Sequence, residues 1–179
     1  MMLKRSIIWA VLAITAFSCD QFDFGEQYDY DGNLARDKEK IENFLATNPY
    51  EYIEKIEDES GVVILVQEEG TANRPTAGSI VYTNYVGKLT DGTVFDTTYE
   101  DVAIENDIHN ESRIYEPMSF SLFSQGTIEG FSHGFRNLRS GSTGVLIIPS
   151  PLAYRNDEER DNIPANSVLV FEVEFLGMD

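Results

Sequence analysis

The stretch Ile80–Asp96, IVYTNYVGKLTDGTVFD, contains the strongest local signal of β-structure in this chain. Its first part, Ile80–Gly87, is rich in residues that favour β-strands, and apolar and polar side chains partly alternate along it. The pair Asp91 and Gly92 then separates two such runs, which is a strong short-range signal of a β-hairpin. The stretch therefore predicts two antiparallel strands joined by a tight turn.

Further strands and one helix are predicted on either side of this hairpin. The other β-rich runs are Val62–Val66, Met118–Phe123, Val145–Ile148 and Ser167–Leu176. Apolar residues at spacings of three, four and three indicate one face of a helix; they are Ile128, Phe131, Phe135 and Leu138. We predict the α+β class, with a curved antiparallel sheet of about five strands wrapped around one short α-helix.

The composition excludes several classes of function. The chain has 179 residues, with 13 Lys and Arg against 31 Asp and Glu, and a formal net charge of −18 at pH 7. A nucleic-acid partner is not expected, because phosphate binding needs a basic face. One cysteine and two histidines cannot supply a structural zinc site. We expect neither a metal nor a cofactor.

The N-terminus has the features of a targeting segment. In residues 1–18, Lys4 and Arg5 precede an apolar run of about a dozen residues, shorter than the roughly 20 that a spanning helix needs. The residues around Cys19 resemble the lipobox of bacterial lipoproteins, in which the cysteine thiol takes a diacylglycerol. We expect a lipid-anchored protein of the bacterial cell envelope, on the outer rather than the inner membrane. An ordinary signal peptide with a chance cysteine is the alternative.

The rest of the chain divides into three parts. Residues 19–36 are acidic, lack apolar periodicity and are predicted to be a tether. Residues 37–59 form an N-terminal helical extension with a short amphipathic helix from Asp37 to Ala46. This helix either covers its own domain or provides a contact for a homodimer. Residues 60–179 contain the predicted sheet and its helix.

Five short blocks follow one another in an order that is typical of one family. They are Asn84–Gly87, Asp91–Asp96, Ile128–Phe131, Pro151–Tyr154 and Leu169–Val173. Together they resemble the FKBP-type peptidyl-prolyl cis-trans isomerases, over about Ser60 to Met178. With the lipid signal, the chain is also similar to the gliding-motility-associated lipoprotein branch of that family. The resemblance implies an FKBP-like fold and proline-containing polypeptides as substrates.

Rotation of an X–Pro bond needs no nucleophile, general base or metal. Resonance keeps the amide planar, so that rotation costs ~18–20 kcal/mol and takes roughly tens to hundreds of seconds unassisted. The twisted transition state has less charge separation than the planar amide. An apolar cavity that removes water from the imide carbonyl therefore favours the twisted form, which is catalysis by differential binding.

The resemblance also implies roles for individual residues. The proline pocket would be lined by Tyr85, Phe95, Met118, Phe131 and Phe171, with Thr127 and Ile163 at its edge. Phe131 would form the floor, and Asp96 would place its carboxylate beside the twisting carbonyl. The Ile128 backbone N–H and the Tyr154 hydroxyl would donate hydrogen bonds to the flanking carbonyls. The alternatives are ordinary core aromatics and a surface carboxylate.

Three features depart from the pattern of the family. Phe131 stands where Trp is usual, Arg155 stands where Gly is expected, and residues 99–116 form an acidic insert. Arg113 in the insert is a candidate, from sequence distance alone, for the Arg that often pairs with the pocket Asp. We expect the insert to disfavour acidic residues next to the proline. Because the departures could weaken the pocket, an FKBP-fold binding module or chaperone with little turnover is the alternative to an active isomerase of exported or envelope proteins.

Overall fold

The computed structural model describes residues 28–179 except Glu159 and Asp161. The signal peptide predicted at residues 1–18, the lipidation site at Cys19 and the tether up to residue 27 lie outside the described residues. Within the described part, no helix combines the length and the apolar character that crossing a membrane requires.

Seven strands of the described residues form one antiparallel sheet. They are β1 Glu54–Glu57, β2 Val63–Glu68, β3 Ile80–Leu89, β4 Val94–Thr97, β5 Met118–Ser121, β6 Thr143–Ile148 and β7 Leu169–Met178. The order across the sheet is β1-β2-β6-β7-β3-β4, and β5 also pairs with β3. Strand β3 pairs with β7 along one edge, so β4 and β5 share its other edge.

Three α-helices and one 3₁₀ turn accompany the sheet in the described residues. They are α1 Tyr30–Thr47, α2 Glu100–Glu105, α3 Glu129–Phe135 and the 3₁₀ turn Ser150–Leu152. Helix α3 lies very close to the sheet, because a Cβ added at Gly130 would come within 2.2 Å of the Ile148 side chain. Because of this close approach, Phe131, the next residue of the helix, is buried in the core against the sheet.

Strand β2 shows that the sheet is covered on both faces. Val62, Ile64 and Val66 belong to the core on the α3 side, whereas Val63 and Leu65 belong to a second core on the α1 side. A strand that is buried on both faces is expected to be a continuous apolar run, which explains the sequence VVILV. The second core means that α1 is an integral layer of the domain.

Helix α1 begins at Tyr30 rather than at Asp37, so the predicted tether boundary at residue 36 is wrong. The Asp29 side chain caps the helix by accepting the Gly32 N–H at 2.9 Å. The buried stripe of the helix consists of Asn33, Asp37, Ile41 and Phe44. Because the first two of these are polar, apolar periodicity does not reveal the first two turns.

The apolar stripe of α1 covers the protein's own sheet. Ile41 and Phe44 pack with Val63 and Leu65, which is the first of the two alternatives that the sequence left open. Within the predicted helical extension, residues 54–57 form the edge strand β1 and pair with β2. The N-terminal extension therefore contains an edge strand as well as its helix.

The predicted fold class is confirmed, as an α+β arrangement with an N-terminal helix. The sheet has seven strands rather than about five, and three of them, β1, β4 and β5, have four residues each. Helix α3 ends at Phe135, before Leu138, although Leu138 is still buried in the core. The acidic insert contains the short helix α2.

Candidate active site

Four aromatic rings from β3, β4, β7 and α3 meet on the α3 side of the sheet. The ring centroid of Phe171 lies 5.7 Å from that of Tyr85, 5.5 Å from Phe95 and 4.7 Å from Phe131, all in edge-to-face arrangements. Tyr85, Phe131 and Phe171 are buried, whereas Phe95 is only half-buried. This aromatic cluster (Tyr85, Phe95, Phe131 and Phe171) therefore reaches the surface at Phe95.

Gly87 in β3 gives the cluster the room that it needs. A Cβ at this position would lie 2.8 Å from the Phe95 ring and 2.9 Å from the Phe171 ring. In the register of the sheet, Gly87 stands opposite Phe171 on one neighbour and Asp96 on the other. The absence of a side chain at Gly87, the last residue of the Asn84–Gly87 block, is therefore required sterically, because side chains of both neighbouring strands pack over this position.

The Asp96 carboxylate is held from three sides at the rim of the cluster. Its Oδ2 accepts the Tyr85 hydroxyl at 2.5 Å, and its Oδ1 accepts the Thr97 backbone N–H at 2.8 Å. The Arg113 guanidinium also donates to Oδ1 and forms an ion pair with the carboxylate. The structure therefore brings Arg113 to Asp96, as sequence distance suggested.

The Asp96 carboxylate holds both donors of this network, Tyr85 and Arg113, in their protonated forms. Burial raises the pKa of the Tyr85 phenol, and the charge and hydrogen bond of Asp96 raise it further. Burial by itself would lower the pKa of Arg113, but the hydrogen bond and the charge of Asp96 outweigh it, so this pKa lies above its usual value. At neutral pH, Tyr85 stays a donor and Arg113 stays a cation.

The insert 99–116 carries Arg113 to this position as a folded arm. The guanidinium lies over the Tyr115 ring at 5.2 Å, and Tyr115 stacks on His109 at 5.4 Å. The Tyr115 hydroxyl accepts the Asn110 backbone N–H at 2.9 Å. These contacts give the insert an ordered structure of its own, and the insert lies beside Asp96.

Tyr154 follows the 3₁₀ turn, and its hydroxyl makes no hydrogen bond with the described residues. The Arg160 guanidinium lies over its ring, 3.8 Å from the centroid. Burial raises the pKa of Tyr154, while the charge of Arg160 lowers it and that of Asp96 raises it. Tyr154 also packs against the core that contains Tyr85, Phe131 and Phe171, as Phe95 does.

The remaining predicted residues lie around the same cluster. Ile128 is the cap residue before α3, has an extended backbone, and donates its N–H to no acceptor among the described residues. Thr127 precedes it and donates its hydroxyl to the Ile128 carbonyl at 3.3 Å. Ile163, in the segment after Tyr154, is a buried member of the core on the α3 side, and Met118 in β5 packs against that core.

Two contributors were missed by sequence reasoning. Phe120 packs edge-to-face on Phe131, with ring centroids 5.7 Å apart, and also on Phe135, with ring centroids 5.4 Å apart. Its position two residues after Met118 in a predicted strand was a usable signal. Arg160 had no local signal, because its stacking on Tyr154 depends on the path of a loop. Among the described residues, no three His, Cys, Asp or Glu side chains cluster closely enough to hold a metal ion.

Comparisons with known proteins identify the class to which this fold and site belong. The model of the family described as FKBP-type peptidyl-prolyl cis-trans isomerase matches residues 71–176. The FKBP-type peptidyl-prolyl cis-trans isomerase FkpA of Aeromonas hydrophila is 34% identical over 149 residues, which are 83% of this chain and 49% of that protein. The chain belongs to the FKBP-type peptidyl-prolyl cis-trans isomerase family.

Within the family, the chain is similar to FkpA. The crystal structure of FkpA from Escherichia coli has a TM-score of 0.62 and 33% identity, and the match covers 84% of this chain and 61% of that chain. A crystal structure of a peptidyl-prolyl cis-trans isomerase from Pseudomonas syringae has a TM-score of 0.59 and 26% identity, covering 87% of this chain and 99% of that chain. The chain spans about half the length of the curated FkpA relative from Aeromonas.

Proposed function

We propose that this protein is an active peptidyl-prolyl cis-trans isomerase that acts on X–Pro bonds of exported or envelope polypeptides. The observation that carries the proposal is that Phe95 and Tyr154, from separate segments, both pack on the core that contains Tyr85, Phe131 and Phe171, and that the Tyr85 hydroxyl in this core donates to the Asp96 carboxylate. Membership of the isomerase family supports the reaction class.

The aromatic cluster would act by removing water from the imide. A proline ring packed on Tyr85, Phe131 and Phe171 exchanges hydration for apolar contact. The planar amide has the larger charge separation and therefore loses more hydration energy than the twisted form does. The barrier of ~18–20 kcal/mol then falls without any bond being made or broken.

The polar groups would fix the substrate and favour its twist. A carboxylate at Asp96, beside the imide carbonyl, repels the partial negative charge on that oxygen, which is largest in the planar form. The Ile128 N–H and the Tyr154 hydroxyl have no protein acceptor among the described residues, so both are available to the flanking carbonyls. One side of the bond is then held while the other rotates.

A protease-coupled assay on the soluble chain from Asp20 onward tests this proposal. We expect the protein to accelerate cleavage of the cis fraction of X–Pro peptides. Asp96→Ala and Tyr154→Phe should each lower kcat/KM by about tenfold while the circular dichroism spectrum is unchanged. A rate equal to that in buffer, at protein concentrations that saturate peptide binding, would contradict it.

A binding module with little turnover is the second candidate, and the position of Arg160 favours it. Its guanidinium covers one face of the Tyr154 ring at 3.8 Å, and Phe131 offers less floor area than the usual Trp. Calorimetric binding of an X–Pro peptide without catalysis would support this candidate. In that case Arg160→Ala should restore turnover if the stacking is what blocks it.

We further propose that Cys19 carries a lipid that anchors the domain to the bacterial envelope, as in the gliding-motility-associated branch. The support is the sequence of residues 1–18 and the small residues near Cys19. Cells fed an alkyne-labelled fatty acid should label the wild-type protein in the outer-membrane fraction. Equal labelling of Cys19→Ala would refute the anchor.

The predicted homodimer through α1 would have to use the exposed, charged side of the helix, because Ile41 and Phe44 are already buried against the sheet. It stays a prediction. Sedimentation of the soluble chain at micromolar concentration tests it, since a monomer there would exclude a stable contact.

The acidic insert is proposed to select substrates by charge. Residues 99–116 contain six carboxylates, and their one arginine, Arg113, is already paired with Asp96. A groove of about 700 Å³ lies between the insert and the segment around Ile163, and its charged lining residues are Asp107, Glu158 and Arg160. A peptide with Lys before proline should react faster than one with Glu, and added salt should reduce the difference. Equal rates at low salt would refute this.

A further inference from the structure

The segment that carries Tyr154 is held at its start by a buried carboxylate of α1. The Asp37 side chain is 1% exposed, and its Oδ2 accepts the Ser150 backbone N–H at 2.7 Å. Ser150 opens the 3₁₀ turn that leads directly to Tyr154. A residue 113 positions earlier in the chain therefore fixes the entry to this part of the site.

The same helix also holds the far end of the segment. The Lys40 ammonium donates to the Asp37 Oδ1 at 2.9 Å and to the Asn166 carbonyl at 3.2 Å. The Asn166 N–H in turn donates to the Arg155 carbonyl at 2.6 Å. Asp37 thus contacts the start of the segment Ser150–Asn166, and Lys40 contacts its end. Arg155 directly follows Tyr154, so the contact at Asn166 also reaches the residue next to Tyr154.

Attachment of α1 to the sheet does not require a charge at position 37. Ile41 and Phe44 already supply apolar packing on the sheet, and burying a carboxylate is costly unless its partners are well placed. The Lys40 side chain is 45% exposed, so the buried partner is the Asp37 carboxylate alone, and we explain it by the geometry that it imposes rather than by the stability that it adds. The geometry imposed here is the position of both ends of one loop.

We propose that Asp37 and Lys40 are positioning residues for the isomerase site: by holding the ends of the segment Ser150–Asn166, they fix the Tyr154 hydroxyl relative to Asp96. This inference rests on the proposed isomerase function. Helix α1 lies before the residues that the family model matches, 71–176. This clamp, formed by Asp37 and Lys40, thus belongs to the N-terminal extension of the chain.

The test uses the soluble chain with Asp37→Leu, Asp37→Asn and Lys40→Met. The matched control is Lys38→Met, the same substitution at an exposed position of the same helix. Asp37→Leu should lower kcat/KM by about fivefold to tenfold, which is at most the loss expected when the Tyr154 hydroxyl itself is removed. Asp37→Asn still offers an acceptor to Ser150 and should keep most of the activity, and Lys38→Met should match the wild type.

A second background separates positioning from general destabilisation. In a Tyr154→Phe protein there is no hydroxyl to position, so Asp37→Leu should cause no further loss of kcat/KM. If Asp37→Leu lowers kcat/KM by the same factor in both backgrounds, or leaves it unchanged in the wild-type background, the inference is overturned. Should Asp37→Leu fail to fold, Lys40→Met is compared in the same two backgrounds under the same criteria.

If the wild type has no isomerase activity, that result refutes the proposed function but does not test the clamp. Hydrogen exchange tests the clamp independently of activity. The Ser150 and Asn166 amides should exchange about tenfold faster in Asp37→Leu or Lys40→Met than in Lys38→Met. Unchanged protection of both amides would show that α1 does not hold the segment.

Discussion

Gly87 is the residue at which local sequence and site geometry are most tightly linked. A methyl group there would lie under 3 Å from both the Phe95 and Phe171 rings. Overpacking of this kind costs about 1–3 kcal/mol. We predict that Gly87→Ala lowers kcat/KM by about tenfold or more, because the rings must move.

Gly177→Ala is the matched control for that variant. Gly177 lies in the neighbouring strand β7, with open space where its Cβ would be. The isomerase activity of the Gly177→Ala variant should equal that of the wild type. Equal activity of Gly87→Ala and Gly177→Ala would show that the ring positions do not limit catalysis.

Arg155 has a left-handed backbone, with φ of 57°, at the position where the family resemblance leads one to expect glycine. The left-handed conformation costs a non-glycine residue about 1–2 kcal/mol, but glycine adds entropy to the unfolded chain. We predict that Arg155→Gly changes the free energy of unfolding by less than about 1 kcal/mol. Arg155→Val should destabilise by more, because a branched side chain resists positive φ. Urea unfolding measures both, and a harmless valine would contradict the backbone argument.

At the scale of elements, sequence patterns identified those with apolar periodicity and missed those without it. The hairpin and the long strands were predicted because alternation and apolar runs mark them. The first turns of α1 were missed because the stripe there is Asn33 and Asp37. Strand β1, EKIE, is a polar edge strand, and α2 buries only Ala103. Their existence depends on tertiary contacts rather than on local pattern.

The candidate site shows the same division. The ring residues stand within ordered motifs and were readily named from them. The hydrogen bond from Tyr85 to Asp96 depends instead on the pairing of β3 with β4, in which Gly87 stands opposite Asp96. Arg160 over Tyr154 and Asp37 on Ser150 depend on loop paths and on contacts distant in sequence. No single-sequence pattern contains that information.

Asp58 joins the β1–β2 turn to the end of α3. Its oxygens accept the Ser60 N–H at 3.0 Å, the Arg136 guanidinium at 2.6 Å and the Asn137 amide at 3.0 Å, and the His133 ring lies 3.3 Å away. Burial would raise the pKa of Asp58, but these hydrogen bonds outweigh it and hold the pKa well below its usual value.

Because the folded protein holds this proton less tightly than the unfolded chain, Asp58 stabilises the fold above about pH 4 and loses that contribution as the pH falls further. We predict that Asp58→Asn is less stable than the wild type at pH 7 and that the difference shrinks toward pH 3. Urea midpoints at the two pH values measure it. A difference that stays constant with pH would contradict the assignment.

In the whole molecule, one sheet carries a different layer on each of its two faces. Its α3 face gathers the aromatic cluster, and its other face is covered by α1, whose polar residues reach around to the Tyr154 segment. The N-terminal helix α1 and the aromatic cluster therefore share one sheet, and α1 also contacts the segment that carries Tyr154.

A mechanism without acid–base chemistry predicts a flat pH profile. The pKa values of Tyr85, Tyr154 and Arg113 all lie above their usual values, so the three groups stay protonated below about pH 9. We expect kcat/KM to be constant between about pH 6 and pH 9. A bell-shaped profile within that range would indicate a titrating acid or base and contradict the desolvation mechanism.

Exchange spectroscopy by NMR on an unstructured X–Pro peptide is a direct test of isomerase activity, because it observes rotation of the bond without a coupled protease. We expect catalytic amounts of the protein to bring cis–trans exchange from roughly tens of seconds into a range that produces exchange cross-peaks. The cross-peaks should weaken strongly with Asp96→Ala at equal peptide binding. Binding of the peptide with exchange no faster than in buffer would show that the aromatic cluster does not catalyse the rotation.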